Sequence, residues 1–427
     1  MDEDHKNRNR LAFGVVTAVF FMWGFITVLN DVLVPHLKSI FALDYTRIML
    51  IQFTFFGAYF LVSLPSGKLV SSFGCKNSII LGLAVAGLGA LLFVPAAAIP
   101  SYGVFLTALF VLASGITLLQ VAANPYVSLL GEPRGASSRL NLSQAFNSLG
   151  TAIAPKFGGL LILSVSVLGA AEFAKLDPAG QLAYRLQQAR AVEGPYIGIA
   201  LTLFALAFVV YLFHLPEVQE EAGAAPTAHP FLQALCHRHL FYGVAAIFLY
   251  VGAEVSIGSF MINYVSLPGI GDMPETRAAN FVSLYWSGAM LGRFVGSALL
   301  RRVGPRALLA VFAAVAAALV LATMLTQGMT AVWAVVAIGL FNSIMFPNIF
   351  TLGIEGLGPL TGRASSLLVM AIVGGAVVPV LQGVLADRFG VHHAFVLPFL
   401  CYLYILFYAL DGSKPGRDSP LAGRAHG

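Results

Sequence analysis

Residues 150–161 read GTAIAPKFGGLL, and residues 374–385 read GGAVVPVLQGVL. The second stretch lies 224 positions after the first. At that one offset Gly150 meets Gly374, Ala152 meets Ala376, Pro155 meets Pro379, Gly159 meets Gly383 and Leu161 meets Leu385. Moving outward at the same offset, Gly115 meets Gly339, Asn124 meets Asn348 and Arg139 meets Arg363. With a few residues of drift, Gly24 meets Gly252, Gly67 meets Gly296, Gly74 meets Gly304 and Lys76 meets Arg306. Loop insertions produce drift of this kind. The chain therefore reads as two parallel copies of one unit.

Both copies are apolar almost throughout. Of the 427 residues 58% are hydrophobic and 10% charged, whereas a soluble domain carries about 25% charged residues to face water. Together with a mean hydropathy of +0.85, this excludes a soluble globular domain and a disordered chain. Twelve apolar runs follow one another, from 11–37 to 391–411. Each suits the roughly 20 residues that cross a bilayer. They hold scattered Gly and Pro, as membrane helices tolerate, and lack the short alternating segments of a barrel. The expected fold is an all-α integral membrane protein of twelve transmembrane helices in two six-helix halves. The first half is 1–214, a cytoplasmic linker 215–239, and the second half 240–427 with a short cytoplasmic tail. Pro216, Glu217, Gln219, Glu220 and Glu221 mark the linker. The first run is too long for a signal-peptide core and lacks an A-x-A site, so it reads as a retained helix.

Lys and Arg set the orientation. Fifteen fall in the segments that share a side with the N-terminus and seven in the opposite set. By the positive-inside rule both termini are cytoplasmic. The net charge of +5 follows from this distribution and is no nucleic-acid footprint. The three cysteines (Cys75, Cys236, Cys401) lie far apart and suggest neither a disulfide framework nor a zinc motif. Cys236, His237 and His239, with His229 upstream, read as a basic interfacial loop, so no metal site is expected.

Gly67-Lys68-Leu69-Val70-Ser71-Ser72-Phe73-Gly74-Cys75-Lys76 looks like the loop 2–3 signature of the major facilitator superfamily, with Ser71 in place of its usual Asp. A weaker copy runs from Gly296 to Arg306. Span 1 contains Phe21-Met22-Trp23-Gly24-Phe25 and Leu29-Asn30-Asp31, and span 4 ends in Ala122-Ala123-Asn124-Pro125-Tyr126-Val127. Span 5 opens with Arg139-Leu140-Asn141-Leu142-Ser143-Gln144-Ala145-Phe146-Asn147-Ser148. Together these resemble the fucose permease family of sugar symporters, especially its glucose/galactose branch. The resemblance implies the twelve-helix facilitator fold and cation-coupled uptake of a monosaccharide. It also implies an acid in span 1, which Asp31 matches, and a glutamate in span 4, where Gln120 stands instead. An amide hydrogen-bonds a sugar but carries no proton. That departure gives weight to sodium coupling or to a single-carboxylate scheme.

The polar groups inside the spans are the candidate site, because a charge there is costly and defaults to function. Asp31 shares a helix face with Thr27 and Trp23, a carboxylate beside a hydroxyl and a ring that suits a sugar. Gln120 and Asn124 lie one turn apart on span 4, and Gln144 and Asn147 on span 5. Each pair offers the donors and acceptors that hexose hydroxyls need, or bonds helix to helix. Glu254, with Tyr250 a turn before it, completes the sugar site, holds a coupling ion, or pairs with a nearby cation. Trp286 joins Trp23 and Tyr250 as a stacking surface. Arg293 reads as a gate or scaffold charge. Lys156 is the unexpected cation. It snorkels, or it partners Asp31 or Glu254 and mimics a travelling cation, or it recognises an acidic sugar.

The reading is a secondary active transporter that takes up a monosaccharide such as glucose or galactose by symport with H+ or Na+. Asp31, Glu254 and Lys156 are its coupling candidates. The rivals are an uncoupled uniporter in which Lys156 replaces the coupling ion, and a carrier of N-acetylated or acidic sugars. No nucleophile–base pair or metal cluster lies within the spans, so no enzyme and no cofactor is expected. The partners are the sugar and membrane lipid, with no nucleic acid. The chain is expected to act as a monomer in a bacterial inner membrane.

Overall fold

The computed structural model describes residues 3–41, 45–98, 101–161, 175–190, 193–213, 215–216 and 230–415. Within some helices, among them residues 29–41 of the first and 45–49 of the second, only the backbone course is described. Every regular element among the described residues is helical. The longer ones are α1 (Glu3–Phe41), α2 (Tyr45–Leu91), α3 (Phe93–Ala98), α4 (Tyr102–Leu129), α5 (Ala136–Leu161), α6 (Pro178–Arg190) and α7 (Glu193–Leu212). They continue as α8 (Pro230–Leu235), α9 (Arg238–Val265), α10 (Glu275–Leu299), α11 (Pro305–Leu325), α12 (Gly328–Asn342) and α13 (Met345–Gly353). The last are α14 (Thr361–Met370), α15 (Gly374–Phe389), α16 (Val391–Ala394) and α17 (Val396–Phe407).

Nine described helical stretches are long and apolar enough to cross a membrane. One of them, Leu50–Ala98, holds two of the expected spans. Its helix breaks at Gly74, where φ is 76°, a left-handed conformation that a side chain would strain. Two further helices, α5 with 26 residues and α10 with 25, have the length and are richer in polar side chains. Twelve crossings are thus accounted for among the described residues. Helix α6 is an addition: it lies where the sequence has no apolar run.

The described contacts form two compact units. One comprises Met1–Ala123 with Phe146–Glu217, the other Asn124–Ala145 with Val218–Gly427. Residues 124–145, the end of α4 and the start of α5, precede the expected linker and belong to the second unit. The linker residues 217–229 lie outside the described part of the chain.

In the first unit α1 and α5 approach closely. A Cβ on Gly24 would collide with the Asn147 carbonyl, and one on Gly150 with the Phe21 carbonyl. In the second unit α9 and α15 do the same, with Gly374 against the Phe248 carbonyl and Gly252 against Val378. The repeated glycines therefore occur where only a hydrogen fits between two helices, the small-residue packing of membrane bundles.

The repeated cations also do equivalent work. Lys76 donates to the Tyr211 carbonyl at 3.1 Å, near the end of α7. Arg306 donates to the Ser413 carbonyl at 3.3 Å, just past α17, and to Glu355 at 2.7 Å. Each places a positive charge on carbonyls that a helix end leaves unpaired. The glycines beside them differ: Gly304 has φ −62°, so only Gly74 uses the left-handed freedom.

Candidate substrate site

Gln120 is buried on α4, and its amide donates to the Tyr59 hydroxyl at 2.6 Å. The amide oxygen of Gln120 is left for another donor. Its neighbour one turn on, Asn124, is fully buried, and its side-chain oxygen accepts from Gln144 at 3.4 Å. The Asn124 side-chain nitrogen has no partner, so a buried donor there stands ready for an acceptor. Hydrogen bonding between spans 4 and 5, one of the two roles open to these amides, occurs here through Asn124 and Gln144.

Asn147 is used differently. Its amide donates to the Phe20 carbonyl at 2.8 Å, and its backbone lies against Gly24. Of the two roles open to it, helix-to-helix bonding is the one this geometry displays. Thr27 donates to the Trp23 carbonyl at 2.9 Å within its own helix, which leaves its oxygen as an acceptor. Trp23 is buried and packs on Phe20, with ring centroids 5.0 Å apart. The side chain of Asp31 lies outside the described residues.

In the second unit Glu254 is 9% exposed on α9. Its ion-pair partner is Arg293 of α10, at 3.9 Å. The Arg293 Nε donates to the Ser343 carbonyl at 3.2 Å. Around this pair four side chains form a chain of hydrogen bonds. Tyr250 donates to the Asn342 carbonyl at 3.1 Å, and Tyr402 to the Asn342 side-chain oxygen at 2.7 Å. The Asn342 amide donates to the Tyr285 hydroxyl at 2.7 Å, and Tyr285 to the Glu254 carbonyl at 3.2 Å. Tyr250 is thus a buried strut. Trp286 is 43% exposed, beside Gly258 and edge-on to Tyr285.

Lys156 is exposed on α5 and has no ion pair among the described side chains. At about 100° per residue, eighteen residues close five helical turns, so Lys156 lies on the stripe of α5 that begins with Ser138.

That stripe opens in a set of contacts absent from the sequence reading. Ser138 donates to the Ser297 carbonyl at 2.7 Å and Ser297 to the Ser138 carbonyl at 2.9 Å. The Ser137 and Thr351 hydroxyls meet at 2.6 Å, and Asn141 donates to Asn348 at 2.9 Å. All six side chains are buried. Arg139 seals the end of α4, donating to the carbonyls of Val127 at 3.2 Å, Ser128 at 2.7 Å and Glu132 at 2.9 Å.

The arrangement holds buried amides, hydroxyls and one ion pair on long apolar helices. It offers hydrogen bonds in both directions, with no nucleophile poised for attack. A family model described as Major Facilitator Superfamily matches residues 11–372. The chain belongs to the Major Facilitator Superfamily. As a facilitator it is a multi-pass membrane transporter and not an enzyme.

Along 93% of its length the chain is 52% identical to the glucose/galactose transporter of Brucella abortus, of which it covers 93%. It is 35% identical to the L-fucose-proton symporter of Escherichia coli, over 93% of this chain and 92% of that one. A crystal structure of the E. coli fucose:proton symporter superposes with a TM-score of 0.89 at 34% identity, covering 95% of this chain and 99% of that chain. A facilitator crystallised in the outward conformation matches with the same TM-score of 0.89, at 34% identity over 95% of this chain and 100% of that chain.

Sequence reasoning missed Tyr59, Asn342, Tyr285, Tyr402 and the serines at 137, 138 and 297. The tyrosines carried a faint signal, since a phenol inside an apolar span needs a partner when buried. The serines carried none, because small hydroxyls sit in membrane helices for many reasons.

Proposed function

We propose that this facilitator carries a hexose of the glucose or galactose kind across the bacterial plasma membrane together with a proton, as a monomer with both termini in the cytoplasm. The observation that carries the reading is the 52% identity to a glucose/galactose transporter over 93% of the chain. Support for the proton comes from the 35% identity to a fucose-proton symporter. The site residues fit a polyhydroxylated ligand. The Gln120 oxygen accepts a hydroxyl proton, and Asn124 one turn on and Gln144 on α5 offer amides. Trp23 in the first unit and Tyr250 and Trp286 in the second are the stacking surfaces of this reading, and Thr27 adds an acceptor. In this reading Asp31 must be neutralised before the loaded carrier changes face, because a buried unpaired carboxylate opposes closure. The two six-helix halves alternate access to one site.

The test is radiolabelled hexose uptake into proteoliposomes under a proton gradient or a sodium gradient, imposed separately. The expected result is accumulation driven by the proton gradient and lost in Asp31→Asn. Accumulation driven only by sodium would replace the proton. Equilibration that ignores both gradients would make the protein a uniporter, a reading that the amide at Gln120 and the exposed Lys156 favour. Failure to move any neutral hexose would redirect the substrate to acidic or N-acetylated sugars.

A further inference from the structure

We propose that Glu254 is a second proton-carrying carboxylate of the transport cycle, held in its charged form by Arg293. The inference rests on the reading of the chain as a proton-coupled sugar carrier and adds a site to it.

The first argument is the geometry of the pair. One Glu254 oxygen, Oε1, is buried without a hydrogen bond and lies 3.9 Å from the Arg293 guanidinium. That distance gives charge attraction but no hydrogen bond. A structural ion pair sealed among helices needs short, fully satisfied contacts, because desolvation of both charges is costly. This pair is left half-satisfied on the carboxylate side, while the guanidinium is fastened to the Ser343 carbonyl. The fixed partner is therefore the cation, and the carboxylate is free to change state.

The second argument is the direction of the neighbouring protons. Tyr250 lies one turn before Glu254 on α9, and its one proton is directed to the Asn342 carbonyl. Its oxygen then remains an acceptor, which offers a carboxylate no second proton. Tyr250 is held in that orientation because Asn342 is itself fixed by Tyr285 and Tyr402. Arg293 is thus the contact for the anion. Proton binding at the carboxylate converts an anion to a neutral acid, and its release restores the anion beside Arg293, which keeps its own charge throughout.

Among the described side chains, no second acid acts on Glu254. Tyr250 lies on the same helix, Tyr285 and Arg293 come from α10, and Cys401 and Tyr402 from α17. Helix α13 carries no titratable residue, and α15 carries only Asp387 and Arg388 in its last turn. Of the acids in these elements, only Glu254 is near the tyrosine network.

The experiment compares the wild-type chain, Glu254→Gln and Glu254→Gln/Arg293→Gln in proteoliposomes. Radiolabelled galactose accumulation is measured under an imposed proton gradient, and galactose exchange at equal concentrations across a range of pH. For Glu254→Gln, gradient-driven accumulation is expected to fall at least tenfold, while exchange persists and loses its pH dependence. The double variant should behave the same way. Gradient-driven accumulation in Glu254→Gln at the wild-type level overturns the proposal. So does recovery of accumulation in the double variant, since that would make the pair purely structural, and so does loss of exchange in both variants. A wild-type chain that exchanges no galactose, or that ignores the proton gradient, overturns the proton–sugar reading itself and is recognised before any variant is compared.

Discussion

The Asn141 amide donates to the Asn348 side-chain oxygen at 2.9 Å, across 207 positions of sequence. Both side chains are fully buried. One comes from the start of α5 and the other from α13, and with Ser137–Thr351 and Ser138–Ser297 they fasten residues 124–145 into the second unit. In the proposed rocking of two six-helix halves, residues 124–145 either part these bonds or travel with the second unit. Each is worth about 1 kcal/mol in a membrane interior, weak enough to open and strong enough in sum to hold.

A cross-link tests this directly. The Ser138 and Ser297 hydroxyls are 3.3 Å apart, so thiols at the same two positions would face each other. In a background lacking Cys75, Cys236 and Cys401, the Ser138→Cys/Ser297→Cys variant should cross-link under mild oxidant. Hexose exchange should stop and return on reduction. Exchange that continues at full rate in the cross-linked protein would show that the segment never leaves its place.

The Gln120–Tyr59 hydrogen bond leads to a separate expectation about affinity. Tyr59 holds the Gln120 amide so that its oxygen keeps one direction. Tyr59→Phe removes that restraint at a cost of about 1 kcal/mol, which corresponds to roughly a fivefold weaker half-saturation for hexose with turnover little changed. Initial-rate uptake over a range of sugar concentrations separates the two quantities. A drop in turnover at unchanged half-saturation would assign Tyr59 to the conformational step instead.

Glycine substitutions give a stability prediction with an internal control. Gly24, Gly150 and Gly374 each have a carbonyl of a neighbouring helix where a Cβ would go, whereas Gly14 and Gly57 have nothing within 4 Å. Alanine at the first three forces helices apart and should destabilise by about 1–3 kcal/mol, read as a lower unfolding temperature in detergent. Alanine at Gly14 or Gly57 should be neutral or slightly stabilising. Equal losses at all five sites would mean that close approach is not what these glycines provide.

The same glycines show why part of the fold could be read from the sequence. A backbone-to-backbone contact admits one residue type, so its repetition at Gly150 and Gly374 is a readable constraint. The chemistry of Gln120, Asn124 and Gln144 was readable for a similar reason, since amides in apolar helices need partners. Their partners were not readable. Tyr59 lies 61 positions from Gln120, and nothing local in either segment fixes which helices touch. The serines at 137 and 138 were silent because their role depends wholly on what faces them. Asn147 carries the residue type of a ligand, and the close approach at Gly24 turns it to the Phe20 carbonyl. Helix α6 stayed hidden because it is too polar to register as a span.

Lys156 remains the cation that the packing does not explain. It is exposed, carries no ion pair among the described side chains, and shares a helix stripe with Ser138. Glu254, one of the carboxylates it was expected to partner, pairs with Arg293 instead. Removing a charge that nothing compensates should barely affect the fold, within about 0.5 kcal/mol, so Lys156→Ile should unfold at the wild-type temperature. Its effect belongs to transport. We propose that its ammonium repels an incoming cation and partly takes its place, loosening the tie between sugar and ion. Without it, sugar movement should depend more steeply on the imposed gradient, with higher accumulation under a proton gradient and slower equilibration without one. The measurement is hexose accumulation at several gradient sizes for wild type and Lys156→Ile. Superimposable curves would mean that Lys156 has no part in coupling and serves the helix surface alone.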